Sequence, residues 1–154
     1  MIYNIDVLIR EDLVDAYGDG LLKDIEDLGI KGAKSARIVK TTEIEGDFDK
    51  NKLSMIGRDL LSDPVSQKFV IGSVKGKVIK DSWLIKVNYK PGVTDSVAET
   101  TMKGLLDMGI KKAKSVNTST KVILRGNLSE KKVDLICRKL LANPVIQTYS
   151  FEKK

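Results

Sequence analysis

The sequence predicts an α+β protein that uses one small β-α-β-α-β unit twice. Three observations carry this. Shifted by 80 residues, the chain aligns with itself without a gap, and 20 of 74 aligned positions are identical. The matches cluster: Asp27-Leu28-Gly29-Ile30-Lys31 meets Asp107-Met108-Gly109-Ile110-Lys111, and Asp63-Pro64-Val65 meets Asn143-Pro144-Val145. Within each half, the apolar spacing switches between the period of a strand and that of a helix in the same order.

The elements follow in turn. Tyr3, Ile5, Val7 and Ile9 alternate as in a half-buried strand, and Trp83, Ile85, Val87 and Tyr89 repeat the pattern. Asp15 and Asp95 stand where a carboxylate would accept the free N–H groups of a first helical turn. Tyr17, Leu21, Leu22, Ile25 and Leu28 then form a helical stripe, matched by Val97, Met102, Leu105 and Met108. Gly29 and Gly109 fall where a left-handed C-terminal cap is wanted. A more polar strand follows, with Ala36, Ile38, Thr42 and Ile44 against Val116, Thr118, Val122 and Leu124. Asp49 and Ser129 suit the N-cap of a second helix, built on Leu53, Ile56, Leu60 and Leu61 or on Val133, Ile136, Leu140 and Leu141. Pro64 and Pro144 end these helices, because proline disfavours helical geometry in the residue before it. A last strand carries Val65, Phe69 and Ile71, or Val145, Tyr149 and Phe151. The expected organisation is a first unit over residues 1–72, a linker over 73–82 and a second unit over 83–154. Units this small have marginal cores. The expectation is therefore a pseudo-twofold, dimer-like pair with helices covering the sheets, joined covalently so that each half sees the other at high effective concentration.

Composition narrows the function. Histidine is absent, which removes the commonest general base and metal ligand. Cys137 is the single cysteine, so an internal disulfide and a Cys/His zinc site are both excluded. No apolar run approaches the ~20 residues needed to cross a membrane, and Met1 to Arg10 does not read as a signal peptide. The expected setting is a reducing cytoplasm. Residues 1–74 carry a formal charge of −4 and residues 75–154 carry +10. Opposite signs on the two halves favour their pairing and are read as solvated surface rather than a nucleic-acid footprint.

Each candidate site has a plainer reading. Cys137 lacks a base to activate it and aligns with Gly57 on the apolar side of a helix, so it reads as core. Gly18-Asp19-Gly20 and Gly72-Ser73-Val74-Lys75-Gly76-Lys77 lack P-loop spacing, and the second reads as linker. Asp47 and Asp49, with Glu43 and Glu45, read as a strand end and helix cap rather than a magnesium cluster. Trp83 and Tyr89, with Lys86 and Lys90, would stack on nucleic acid if exposed, but their strand position reads as packing.

Tyr89-Lys90-Pro91-Gly92-Val93-Thr94-Asp95 resembles the segment that ends the first strand in the PurS family. Arg138-Lys139-Leu140-Leu141-Ala142-Asn143-Pro144-Val145-Ile146 resembles its passage from helix to last strand. The first half keeps Asp15, Gly18 and Asp63-Pro64-Val65, but has Glu11-Asp12 in place of Pro-Gly; the second has Ala98 where the family's glycine is usual. The resemblance implies a small, non-catalytic part of phosphoribosylformylglycinamidine synthase. That enzyme amidates formylglycinamide ribonucleotide in de novo purine biosynthesis, using glutamine and ATP. The implied partners are synthetase and glutaminase subunits, which the small part bridges while supporting ammonia transfer. ATP and magnesium belong to the complex, and no cofactor, metal or catalytic residue is expected in this chain. It would be a free subunit or an N-terminal piece of a fused synthetase, with further self-association open. The implied interface residues are Pro91, Gly92, Val93, Asp95, Asn143, Pro144, Asp15 and Gly18. Two other classes stand beside it: a small-molecule-sensing regulatory pair of α/β domains, and a nucleic-acid module, against which the missing aromatic sheet signature argues.

Overall fold

The computed structural model describes residues 1–72 and 82–154. The elements run β1 (Ile2–Ile9), α1 (Ala16–Asp27), β2 (Ala33–Glu45), α2 (Lys50–Ile56) and β3 (Gln67–Ile71). They then repeat as β4 (Ser82–Tyr89), α3 (Ser96–Asp107), β5 (Ser115–Gly126), α4 (Glu130–Ile136) and β6 (Gln147–Lys153). α2 and α4 each run into a π-helical turn, Gly57–Leu61 and Cys137–Leu141. The α+β class and the doubled β-α-β-α-β order are those the sequence predicts. The expected linker lies outside the described residues, apart from Ser82, which opens β4.

The compact units are not the sequence repeats. Unit one gathers Met1–Leu13, the described residues of Lys40–Val74, and Thr94–Ser119. Unit two gathers Val14–Val39, the described residues of Lys75–Val93, and Thr120–Lys154. Each unit therefore takes the first helix of the other repeat. Strand length is the cause. β2 has 13 residues, about 43 Å at the usual rise per residue, whereas β1 has 8. β1 covers only the C-terminal half of β2, from Ile2↔Glu45 to Val7↔Lys40, antiparallel. α1 returns the chain to the start of β2 and so lies over the half that β1 does not reach.

In unit one the strand order is β3-β1-β2-β5. β3 is antiparallel to β1, from Asp6↔Val70 to Ile9↔Gln67, and the Lys114 amide donates to the Glu45 carbonyl at 2.7 Å. Its core packs Ile5, Val7, Ile44, Phe48, Leu53 and Ile56 against Leu105 and Ile110, at the end of α3 and just beyond it. Asp6, Leu8 and Thr41 are also buried, on the opposite face of the strands. Asp6 and Thr41 are cross-strand partners, and the Thr41 hydroxyl donates to Asp6 Oδ1 at 2.6 Å.

In unit two the order is β2-β5-β4-β6. β4 and β6 are antiparallel, from Trp83↔Lys153 to Tyr89↔Gln147. Its core packs Leu21 and Ile25 of α1 against Ile85, Val87, Val122, Leu124, Val133 and Ile136. Trp83 is buried, edge-on to Phe151 with ring centroids 5.7 Å apart, so it offers no stacking surface.

Asp15 and Asp95 are the expected N-caps, and each also fastens its helix to a strand. Asp15 accepts from the Gly18 amide and, through its other oxygen, from the Ile38 amide of β2, both at 3.0 Å. Asp95 accepts from the Ala98 amide at 3.0 Å and the Thr118 amide of β5 at 2.8 Å. The fastening draws α1 so close that a Cβ on Gly18 would stand 2.0 Å from the Ala36 carbonyl oxygen. It also turns Tyr17 outward, 80% exposed, so Tyr17 does not belong to the apolar stripe. Val65 and Val145 are likewise exposed and precede their strands, because Asp63 and Asn143 fold the chain into a side-chain-capped turn there.

Three outcomes are expected. Residues 83–154 produced alone should not give a folded monomer, since α1 is missing from their core; sedimentation equilibrium with circular dichroism should find either an unfolded chain or a dimer whose melting temperature rises with concentration. Gly18→Ala should cost about 1–3 kcal/mol in urea unfolding through overpacking. Gly20→Ala, with nothing within 4 Å of the new methyl, should stabilise by roughly 0.5–1 kcal/mol.

Candidate partner-contact site

The two segments carrying the sequence resemblance meet at one end of unit two. After β4, Lys90-Pro91-Gly92-Val93 form a tight turn closed by the Val93 amide on the Lys90 carbonyl at 3.1 Å. Proline second and a glycine at φ 80° third are what a type II turn requires. The Lys90 amide donates to the Ile146 carbonyl at 2.8 Å, tying this turn to the start of β6. Arg10 to Leu13 close the same way in the first repeat, at 3.0 Å, and the Arg10 amide reaches the Ser66 carbonyl at 2.9 Å. Glu11-Asp12 thus keeps the closing hydrogen bond while changing the turn's surface.

The Asn143-Pro144 turn is clasped by its own side chains. Asn143 Oδ1 accepts from the Val145 amide at 3.1 Å, and the Asn143 amide donates to Gln147 Oε1 at 2.8 Å. Asp63 and Gln67 form the same clasp. Apolar periodicity does not single out Gln67 and Gln147; their identity at the 80-residue spacing is the signal that marks them. Pro91, Gly92, Asn143 and Pro144 are exposed and Val93 half-buried. Asp15, Gly18 and Asp95 are instead engaged in fastening helices to strands.

Beside these turns lies a groove of about 500 Å³, lined among others by Lys90, Arg138, Lys139, Pro144, Gln147 and Tyr149. The π-helical turn sets its wall: the Ala142 amide donates to the Cys137 carbonyl at 2.9 Å, placing Arg138 and Lys139 on the outer side. Asp134 organises the groove from below. Its Oδ1 accepts from the Tyr149 hydroxyl at 2.6 Å and its Oδ2 from Arg138 Nε at 2.8 Å. The Tyr149 hydrogen bond first, and that of Arg138 second, hold the Asp134 carboxyl below the usual carboxylate range. The same bond to Asp134 raises the Tyr149 phenol. Cys137 is buried; burial, and then the Asp134 charge, push its thiol up to about 12. It is therefore a poor nucleophile at neutral pH.

In unit one, a smaller depression of about 260 Å³ is lined by Asp47, Asp49, Lys52, Lys111 and Lys112, among others. Asp49 caps α2 by accepting from the Lys52 amide at 2.7 Å. No group of three or more metal-capable side chains occurs among the described residues. No helix there is long and apolar enough to cross a membrane.

The fold and these turns define a class: a tandem of small α+β repeats that presents locked surface turns beside a cationic groove. The sequence profile of PurS, described as phosphoribosylformylglycinamidine (FGAM) synthase, matches residues 83–154. The PurS subunit of phosphoribosylformylglycinamidine synthase from Archaeoglobus fulgidus is 38% identical over an alignment of 73 residues, with coverage of 43% of this chain and 89% of that protein. The crystal structure of PurS from Methanocaldococcus jannaschii is 30% identical, with a TM-score of 0.41, over 47% of this chain and 96% of that one. The purS subunit from Thermotoga maritima is 24% identical, with a TM-score of 0.37, over 47% and 90%. The chain belongs to the PurS family of phosphoribosylformylglycinamidine synthase subunits.

Tyr149→Phe tests the groove's electrostatics. A carboxylate whose folded pKa is depressed contributes stability that is present above its unfolded pKa and lost as pH falls through the folded value. Removing the hydroxyl should raise the Asp134 pKa toward the ordinary value, seen by NMR titration of its side-chain carboxyl. It should also flatten the acid-side fall in stability.

Proposed function

We propose that this chain is a non-catalytic assembly subunit of phosphoribosylformylglycinamidine synthase. It bridges the synthetase and glutaminase parts and supports the passage of ammonia between them, in the cytoplasm, during amidation of formylglycinamide ribonucleotide. ATP and magnesium act on the partner subunits. The observation that carries this reading is the meeting of the Pro91-Gly92-Val93 and Asn143-Pro144-Val145 turns. They are far apart in sequence, and the Lys90 to Ile146 hydrogen bond holds them together at one end of unit two. Locked, exposed turns suit a protein contact, because little conformational freedom is left to lose on binding. The chemistry of the chain agrees: it has no histidine, and its one thiol is buried.

The second repeat is read as the partner-facing one, since it alone carries Pro-Gly. Assembly with purified synthetase and glutaminase, followed by analytical gel filtration, tests this. Replacing Pro91-Gly92 with Glu-Asp should weaken assembly roughly 10-fold or more, as loss of a central contact does. Replacing Glu11-Asp12 with Pro-Gly should change it less than about 2-fold. Equal effects at the two turns would overturn the division of labour.

A further inference from the structure

We propose that the groove of unit two receives an acidic, carboxylate-bearing segment of one of the partner subunits. This rests on the reading of the chain as an assembly subunit and specifies the chemistry of the contact.

The inference comes from comparing the groove with the equivalent place in unit one, built on the same backbone. There two cations, Arg58 and Lys68, are neutralised from within. Arg58 donates Nε and a terminal nitrogen to Asp59, at 2.9 and 3.3 Å, and Lys68 pairs with Glu11. At the 80-residue spacing, Lys139 replaces Asp59 and Pro91 replaces Glu11. Asp59 thus gives way to a cation, whereas Glu11 is lost together with the cation it pairs, since Thr148 replaces Lys68. Lys90 and Lys139 have no acidic partner among the described residues. Asp134 is engaged with Tyr149 and Arg138 instead. It fixes the Arg138 guanidinium in place while that side chain stays 53% exposed.

The shape favours a protein segment over a small anion. Ala142, Pro144 and the Tyr149 ring supply an apolar floor, with cations around it. That is the layout of a protein interface, apolar within and polar at the rim. The groove adjoins both exposed turns, since Lys90 opens one and Pro144 belongs to the other. Its unpaired positive charge would guide an acidic segment in and fix its register.

The test measures assembly of the full chain with purified synthetase and glutaminase at several salt concentrations. Lys139→Glu and Lys90→Glu should each raise the dissociation constant roughly 10-fold, with a shallower salt dependence than the wild type. Lys131→Glu makes the same charge change on α4 outside the groove and should stay within about 2-fold. Each variant's melting curve is recorded, and Lys139→Gln takes the place of any reversal that fails to fold. If wild-type protein assembles but the groove variants match it, or all three reversals weaken assembly equally, the docking proposal falls and the subunit reading stands. If wild-type protein does not assemble, both fall. Inorganic phosphate titrated onto the chain alone is the remaining arm. Saturable binding that Lys139→Glu abolishes, with assembly unchanged, would make this a small-anion site and overturn the proposal.

Discussion

The first helix of each repeat completes a hydrophobic core that the other repeat supplies. α1 places Leu21 and Ile25 among Ile85, Val87, Val122 and Leu124; α3 places Leu105 among Ile5, Val7 and Ile44. Much else follows from this exchange. β2 and β5 must be long enough to serve both units. The N-terminus of each exchanged helix must be anchored, and Asp15 and Asp95 do this by capping the helix with one oxygen and holding a strand amide with the other. Gly18 allows the close approach of α1 to β2. A chain of this kind gains its stability from the tandem as a whole, because neither repeat holds a complete core within its own sequence.

Once the scaffold is secured in this way, the surfaces are free to diverge. The turns after β1 and β4 close with the same backbone hydrogen bonds, and the clasps at Asp63 and Asn143 are built alike. The side chains on them differ in charge. Unit one pairs Arg58 with Asp59 and Lys68 with Glu11; in unit two Lys139 replaces Asp59 and Thr148 replaces Lys68, and among the described residues Lys90 and Lys139 have no acidic partner. Conserving a backbone while altering its charges lets the two halves of a repeat protein differ in the surface they present.

The thiol and the carboxylate beside the groove are both held by their surroundings. Cys137 is packed among Val133, Ile136 and the strands, and its thiol is held protonated by burial. Asp134 is engaged with Tyr149 and Arg138. It orders the groove by holding the Tyr149 hydroxyl and the Arg138 guanidinium.

Periodicity and the 80-residue spacing determined the α+β class, the order of elements, both N-caps at Asp15 and Asp95, and the left-handed caps at Gly29 and Gly109. These are local properties: a strand's alternation, a carboxylate three residues from an amide, a glycine at positive φ. The Pro91-Gly92 and Asn143-Pro144 segments were also legible, as two separate stretches of chain. Only the tertiary structure decided which repeat's core each helix enters. Apolar periodicity says that Leu21 and Ile25 must be buried, but not against which strands, and the answer depends on how far β2 outruns β1. Tyr17 misled for the same reason, since its outward direction is set by the fastening of Asp15 to Ile38. The groove needed the fold as well: Lys90, Lys139 and Tyr149 become neighbours only when β4, the π-helical turn and β6 are brought together in space.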